Sequence, residues 1–211
     1  MNIDIWSDVA CPFCYIGKAH FEKALKELPD SLQVNVTWKS FELDPNAPKE
    51  PTADIYDTLA TKYGKDRNWA IQMNKNMTQK AEQAGLKFNM DDVKPVNTFN
   101  AHRVIHLAKN KGLQHEMKER LLKAYFTEGV NVADPDELAR LGYDVGLNRD
   151  EILTALNEKQ YTEEVVQDIE QAHKIGVQGV PFFLINNKYG LSGAQPVDVF
   201  VNALTKIEQE S

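Results

Sequence analysis

The first residues alternate: Ile3 and Ile5 are set between Asn2, Asp4 and Trp6, which predicts a short strand. From Ile16 to Leu28 the apolar positions recur at helical spacing, with Phe21, Leu25 and Leu28 on one stripe, and the helix they predict stops at Pro29-Asp30. Val34, Val36 and Trp38 then alternate with Asn35, Thr37 and Lys39, a second strand. Strand, helix, strand within about 40 residues predicts a right-handed parallel unit. Between Asp44 and Pro51 three prolines (Pro45, Pro48 and Pro51) take the chain out of the sheet.

From Thr52 to about Gln160 the two-residue period is absent and the helical one takes over. Thr52 or Asp54 opens a helix through Ile55 and Leu59 that ends near Gly64. Ala70, Met73, Met77, Ala81 and Ala84 form the next, stopped by Gly85. After a loop holding Pro95 come a helix through Phe99, Ala101, Val104, Ile105 and Ala108, and another through Leu113, Met117, Leu121, Ala124 and Tyr125. Asp134-Pro135-Asp136-Glu137 reads as a capped helix start with proline at the first position, leading to Leu138, Leu141 and Val145. Asn148 and Glu151 cap one more, through Ile152 and Leu156. Residues 52–160 are thus expected to be an all-helical insert, its methionines and aromatics core.

The sheet pattern returns at the end. Thr162 is expected to cap a helix through Val165, Ile169 and Ala172 that stops at Gly176. Gly176-Val177-Gln178-Gly179-Val180-Pro181 reads as a loop, Phe182 to Ile185 as a buried strand, Asn186-Asn187 as a tight hairpin turn and Tyr189 to Ser192 as the antiparallel return. Pro196 starts a last helix through Val199, Phe200, Ala203, Leu204 and Ile207.

Set into this frame are the only two cysteines of the 211 residues, in Cys11-Pro12-Phe13-Cys14, between the first strand and the first helix. Residues three apart on a helix share a face, with Cβ atoms about 5–6 Å apart, and a small adjustment brings their sulfurs to bonding distance. Pro12 suits the first helical position, which leaves Cys11 at the cap, facing free N–H groups and the positive end of the helix dipole. That placement predicts a lowered pKa; a thiol near pKa 7 is about half thiolate at neutral pH. Cys14 continues the apolar stripe and should be shielded. Cys11 is therefore the candidate attacking sulfur and Cys14 the resolving one. Two inert core thiols, or half of a zinc site completed by histidines, are the competing readings of such a pair; the strand before and helix after favour the redox reading. His102 and His106 stand four apart on a helix, the geometry of a metal pair, but no Glu or Cys falls at a matching spacing, so no metal ligand is assigned.

Composition narrows the function further. Hydrophobic residues make up 42% and charged residues 26%, the profile of a soluble globular protein. The net charge of −7 argues against nucleic acid, and no apolar run approaches the ~20 residues of a membrane span. The start Met-Asn-Ile-Asp-Ile-Trp looks like a strand rather than an export signal, so the expected location is cytoplasmic, where a lone cysteine pair is more often catalytic than structural.

The order strand, C-x-x-C helix, strand, helical insert, helix, Val-Pro-strand, strand, helix resembles a thioredoxin fold interrupted by a helical domain. More narrowly the chain resembles the DsbA family, in its cytoplasmic FrnE-like branch. The resemblance is carried by the segments 8–17 around Cys11-Pro12-Phe13-Cys14, 39–43 (Lys39 to Leu43), 97–103 (Asn97 to Arg103), 124–129 (Ala124 to Gly129) and 176–183 (Gly176 to Phe183), spread over nearly the whole chain. It implies an α/β fold, thioredoxin-like, with residues 1–51 and 161–211 forming the thioredoxin-like domain around the insert. It implies a protein disulfide oxidoreductase or isomerase needing no dissociable cofactor beyond the Cys11–Cys14 pair, with protein or peptide thiols as partners and glutathione as a small-thiol co-substrate. It also implies a cis Val180–Pro181 bond lying against Cys11, so that the backbone of Val180 can hold an extended substrate. In two places the chain departs from the family. Ile5 stands where the family has an acid six residues before the first cysteine, and neither Asp4 nor Asp8 matches it, so no proton-transfer residue is assigned. Pro12-Phe13 offers no imidazole to a thiolate, which suggests a milder oxidant. Glutathione-dependent kappa-class transferases and 2-hydroxychromene-2-carboxylate isomerases share this architecture, but their chemistry needs no second thiol. A redox-gated or metal-binding interaction module is the non-enzymatic alternative.

Overall fold

The computed structural model describes residues 1–29 and 31–210. Strand β1 (Asn2–Ser7) is followed by helix α1 (Pro12–Glu27) and strand β2 (Asn35–Ser40). Six helices come next: α2 (Ile55–Tyr63), α3 (Arg67–Ala84), α4 (Phe99–Asn110), α5 (Gln114–Phe126), α6 (Pro135–Asp144) and α7 (Arg149–Asn157), with one 3₁₀ turn at Met90–Asp92. Helix α8 (Thr162–Lys174), strands β3 (Phe182–Ile185) and β4 (Tyr189–Ser192), and helix α9 (Val197–Gln209) complete the chain. The α/β thioredoxin-like fold with a helical insertion between its strands is the one expected. The expected stop at Pro29-Asp30 falls partly on Asp30, outside the described residues; α1 itself ends at Glu27.

The sheet order is β2-β1-β3-β4, with β1 parallel to β2 and antiparallel to β3. This places β1 centrally, so the chain leaving it, where the cysteines lie, emerges at the middle of one sheet edge. Ile3 and Ile5 of β1 and Phe183 and Ile185 of β3 pack with Phe21 of α1 and Phe200 of α9. The opposite face is closed by Trp6, Phe41, Ala172 and Val177. Strand β3 is expected to be buried. Phe183 and Ile185 are, while Phe182 and Leu184 are half-buried against the second, smaller cluster. Asn186 and Asn187 both adopt positive φ (50° and 54°), as a two-residue hairpin turn requires.

The insert's caps are those the residue types dictate. Asp54, Asp134 and Asn148 accept backbone N–H groups at their helix starts, and Gly64 and Gly85 end α2 and α3 in left-handed conformation. One cap differs: Thr162 is the first residue of α8, its hydroxyl turned back to the Lys159 carbonyl, while Tyr161 takes the cap position at φ 62°. The insert grips α1 through Glu119 of α5, which accepts from the Tyr15 hydroxyl (2.6 Å) and pairs with the buried Lys18 ammonium (2.5 Å). Its methionines and aromatics are not all core: Tyr63, Met73 and Tyr143 are exposed.

Candidate active site

Cys11 caps α1 with extended backbone, and Pro12 occupies the first turn, as the missing proline N–H allows. Both thiols are free and both are buried: Cys11 is 3% exposed and Cys14 is fully enclosed. Val180–Pro181 is a cis peptide, and the Cys11 thiol donates to the Val180 carbonyl oxygen at 3.6 Å. Cys11, Cys14, Pro12, Phe13, Val180 and Pro181, chosen from different ends of the sequence, therefore meet at one place. Gly17 makes the meeting possible: a Cβ there would sit 2.9 Å from the Pro181 ring and 3.3 Å from the Ala194 backbone.

One expectation is corrected. The cap position alone was expected to pull the Cys11 pKa down. In the folded dithiol the hydrogen bond with the Cys14 sulfur and burial push the Cys11 thiol well above its ordinary value, and the nearby Asp8 carboxylate adds to this, outweighing the opposite pull of the Cys14 backbone N–H. The helix start is real, but it acts in a closed, acid-bearing pocket rather than in the open, electropositive setting that the spacing suggested.

Three side chains to which the sequence assigns no part in the redox site shape this setting. Asp8, the first, is buried. Its carboxylate accepts from the Leu43 N–H (2.8 Å), the Thr98 hydroxyl (2.8 Å) and His102 Nε2 (3.2 Å). Burial would raise its pKa, but His102 and these hydrogen bonds outweigh that and hold it below the usual carboxylate range. His102 in turn is pushed down by burial against the pull of Asp8. The second histidine, His106, contacts a different acid, Asp168 (3.0 Å), which also takes Lys39 (2.9 Å) and the Ser40 N–H (2.9 Å). Thus the segments around Leu43 and His102, part of the family resemblance, converge on one carboxylate behind the cysteines. Lys118 of α5 is the third: it is 1% exposed, its ammonium donates to the Ser7 carbonyl oxygen, and burial brings its pKa down to about 8 against the opposing pull of Cys14, Asp8 and Cys11. A helical pattern marks position 118 only as one place among polar neighbours, so nothing in the sequence distinguished it.

Cys11 opens onto a cavity of about 400 Å³. Its walls come from the loop after β2 (Leu43, Pro48), from α2 and α3 (Leu59, Met73) and from the Val180 loop. Phe13, Leu43, Tyr63 and Met73, all large and exposed, stand around it.

A DSBA-like thioredoxin domain model matches residues 2–205. The chain belongs to the DsbA-like thioredoxin family. The uncharacterised protein YwbO of Bacillus subtilis is 31% identical over 207 residues, covering 97% of this chain and 96% of YwbO. The crystal structure of a probable DsbA oxidoreductase from Streptomyces coelicolor is 38% identical with a TM-score of 0.94, covering all of this chain and 91% of that one. The cytosolic disulfide reductase DsbM from Pseudomonas aeruginosa (15%, TM-score 0.70, full coverage of both chains) and a 2-hydroxychromene-2-carboxylate isomerase (14%, TM-score 0.73, covering 100% and 97%) share the fold. Family membership and the C-x-x-C pair identify this DsbA-like chain as a probable oxidoreductase.

Proposed function

We propose that the protein exchanges thiols and disulfides of protein or peptide substrates through Cys11, with Cys14 as the resolving thiol, as a member of the FrnE-like branch. The observation that carries this reading is the placement of two buried thiols one helical turn apart, with the outer one against the Val180 carbonyl and at the wall of a cavity. A Cys11 thiolate attacks a substrate disulfide; one substrate sulfur leaves as thiolate and takes a proton, and Cys14 then displaces the other, closing the Cys11–Cys14 bond. In the opposite direction substrate thiols open that bond. Val180 supplies a carbonyl beside the reacting sulfur for an extended substrate main chain. Glutathione is proposed as a small-thiol partner, and the cytoplasm as the location, since both cysteines of the chain are at the redox site and none is left for a structural bridge.

The shared fold does not separate this reading from glutathione-dependent isomerisation or transfer; Cys14 does, because those reactions have no use for a resolving thiol. The test is Cys14→Ser: a stalled mixed disulfide on Cys11 is the expected result, and full turnover of a disulfide substrate without Cys14 would favour the glutathione-dependent alternative. Phe13 in place of an imidazole supports a milder oxidant, and a strongly oxidising potential in a glutathione titration would count against that.

A further inference from the structure

The cavity beside Cys11 holds a polar atom that the fold leaves unused. Asn74 of α3 lines it, is 4% exposed, and among the described residues its side-chain Nδ2 has no hydrogen-bond partner. Leaving a buried amide donor without a partner is costly, which marks this one as a group that a bound molecule can satisfy. The rest of the lining is mostly apolar, with Ile55, Leu59, Met77 and Val96 among it. Among the described residues its charged members are Asp8, Asp44 and Lys62, and Lys62, the one cation of the three, faces Asp44 at 3.9 Å. The volume of about 400 Å³ lies in the range of sites for small organic molecules.

We propose that the protein also exchanges with low-molecular-weight thiols and disulfides whose non-sulfur end is an uncharged apolar group bearing one hydrogen-bond acceptor, that group seated in the cavity with its acceptor on Asn74 Nδ2. The proposal rests on the thiol-exchange reading and names a substrate class for the same site. Glutathione suits the cavity less well: its two carboxylates would meet Asp8 and Asp44, with Lys62, exposed and 3.9 Å from Asp44, the one cation among the described lining residues. In the reaction, a thiol R–SH attacks Cys11 of the Cys11–Cys14 disulfide. The R–S–Cys11 bond forms, and Cys14 leaves as thiolate and is protonated. A second R–SH releases R–S–S–R and the Cys11 thiol. Two thiols are oxidised and lose two protons and two electrons, which the cysteine pair gains.

The test follows reduction of the oxidised full-length protein by four thiols, each rate divided by that thiol's rate with bis(2-hydroxyethyl) disulfide. N-(2-mercaptoethyl)benzamide carries ring and carbonyl, 4-phenylbutane-1-thiol the ring alone; glutathione and N-acetyl-Phe-Cys-Phe-amide are the charged and the peptide comparisons. The benzamide is expected to outrun glutathione about tenfold or more, as burial of an aryl group allows. Its lead over 4-phenylbutane-1-thiol, about five- to tenfold for one buried hydrogen bond, is expected to fall to near one in Asn74→Leu. Met73→Glu, at the exposed rim and so without risk to the core, is expected to slow both aryl thiols relative to glutathione. Glutathione equal to or faster than the benzamide, or an unchanged ratio in Asn74→Leu, overturns the proposal. Failure of all four thiols to reduce the protein removes the exchange reading itself and the proposal with it.

Discussion

The Lys118 ammonium nitrogen lies 3.0 Å from the Ser7 carbonyl oxygen, and among the described residues no carboxylate pairs with it. A buried lysine without an acid is expensive, and its electrostatic neighbours are Cys14, Asp8 and Cys11, with Lys18 opposing it. Its charge is therefore balanced chiefly when a cysteine ionises.

Replacing Lys118 by Met separates what this charge costs from what it does. The folded pKa, near 8, is lowered from the ordinary lysine value of 10.5, so the unfolded chain binds more protons between these values. The cost to stability is therefore complete below pH 8 and disappears as the pH rises toward 10.5. Lys118→Met is expected to be about 1–3 kcal/mol more stable at neutral pH, with the advantage shrinking in the alkaline limb. It is also expected to make the cysteine pair more reducing, by about 30 mV for a tenfold loss of thiolate stabilisation. Denaturant melts across pH and a glutathione redox titration read the two effects; a variant that is less stable and unchanged in potential would assign Lys118 to packing alone.

Cys14 raises the pKa of its neighbour in the reduced state. Cys14→Ala should accordingly shift the ultraviolet titration of the Cys11 thiolate to lower pH than in the wild type. A shift in the other direction would mean that Cys14 stabilises the thiolate rather than the thiol.

Acid should loosen the cluster behind the cysteines in two stages. His102 has a folded pKa below its ordinary 6.5, so the folded state resists the proton that the unfolded chain accepts, and stability is lost as the pH falls from about 6.5 toward the folded value. Asp8 has a folded pKa below 3.8, so its contribution persists above that value and disappears as the pH falls through the folded pKa. Thermal melts of His102→Gln, which can still donate to Asp8, are expected to show a flatter profile between pH 7 and pH 5 than the wild type. Coincident profiles would show that His102 titrates as it does in the unfolded chain.

Gly17 is required by packing rather than by its backbone angle. Gly17→Ala places a methyl 2.9 Å from the Pro181 ring and against the Ala194 backbone, so α1 and the Val180 loop must part. The expected cost is about 1–3 kcal/mol, together with slower exchange at Cys11, because the Val180 carbonyl is carried away from it. A variant with wild-type melting and exchange rate would show that the loop has room to give.

Strands, helices and the cysteine pair were legible because each leaves a local periodic or capping signal; Gly64, Gly85 and Asn186-Asn187 announce their turns by residue type alone. The site's floor was not. Asp8 comes from the loop after β1, and His102, Lys118 and Asn74 from α4, α5 and α3; their positions around the site are set by how the insert docks on the sheet, which no spacing within a helix encodes. The same limit holds for the Cys11 pKa. A helix start can be seen in the sequence, but the approach of the Val180 loop and Asp8 to the buried sulfur cannot. Met73 and Tyr63 looked like core because helical periodicity cannot tell a buried stripe from the wall of a pocket.

Helix α1 is fastened to α5 by Tyr15 and Lys18, both holding Glu119, whereas α2 buries only Ile55 and Ala60 and meets α3 through the surface pairing of Arg67 with Asp54. The reacting sulfurs thus ride on an anchored body, and any breathing that admits a guest falls to the α2–α3 hairpin. Amide deuteration should reach that hairpin's outer helix well before it reaches α1 or α5, so turnover can depend on hinge mechanics remote from the chemistry.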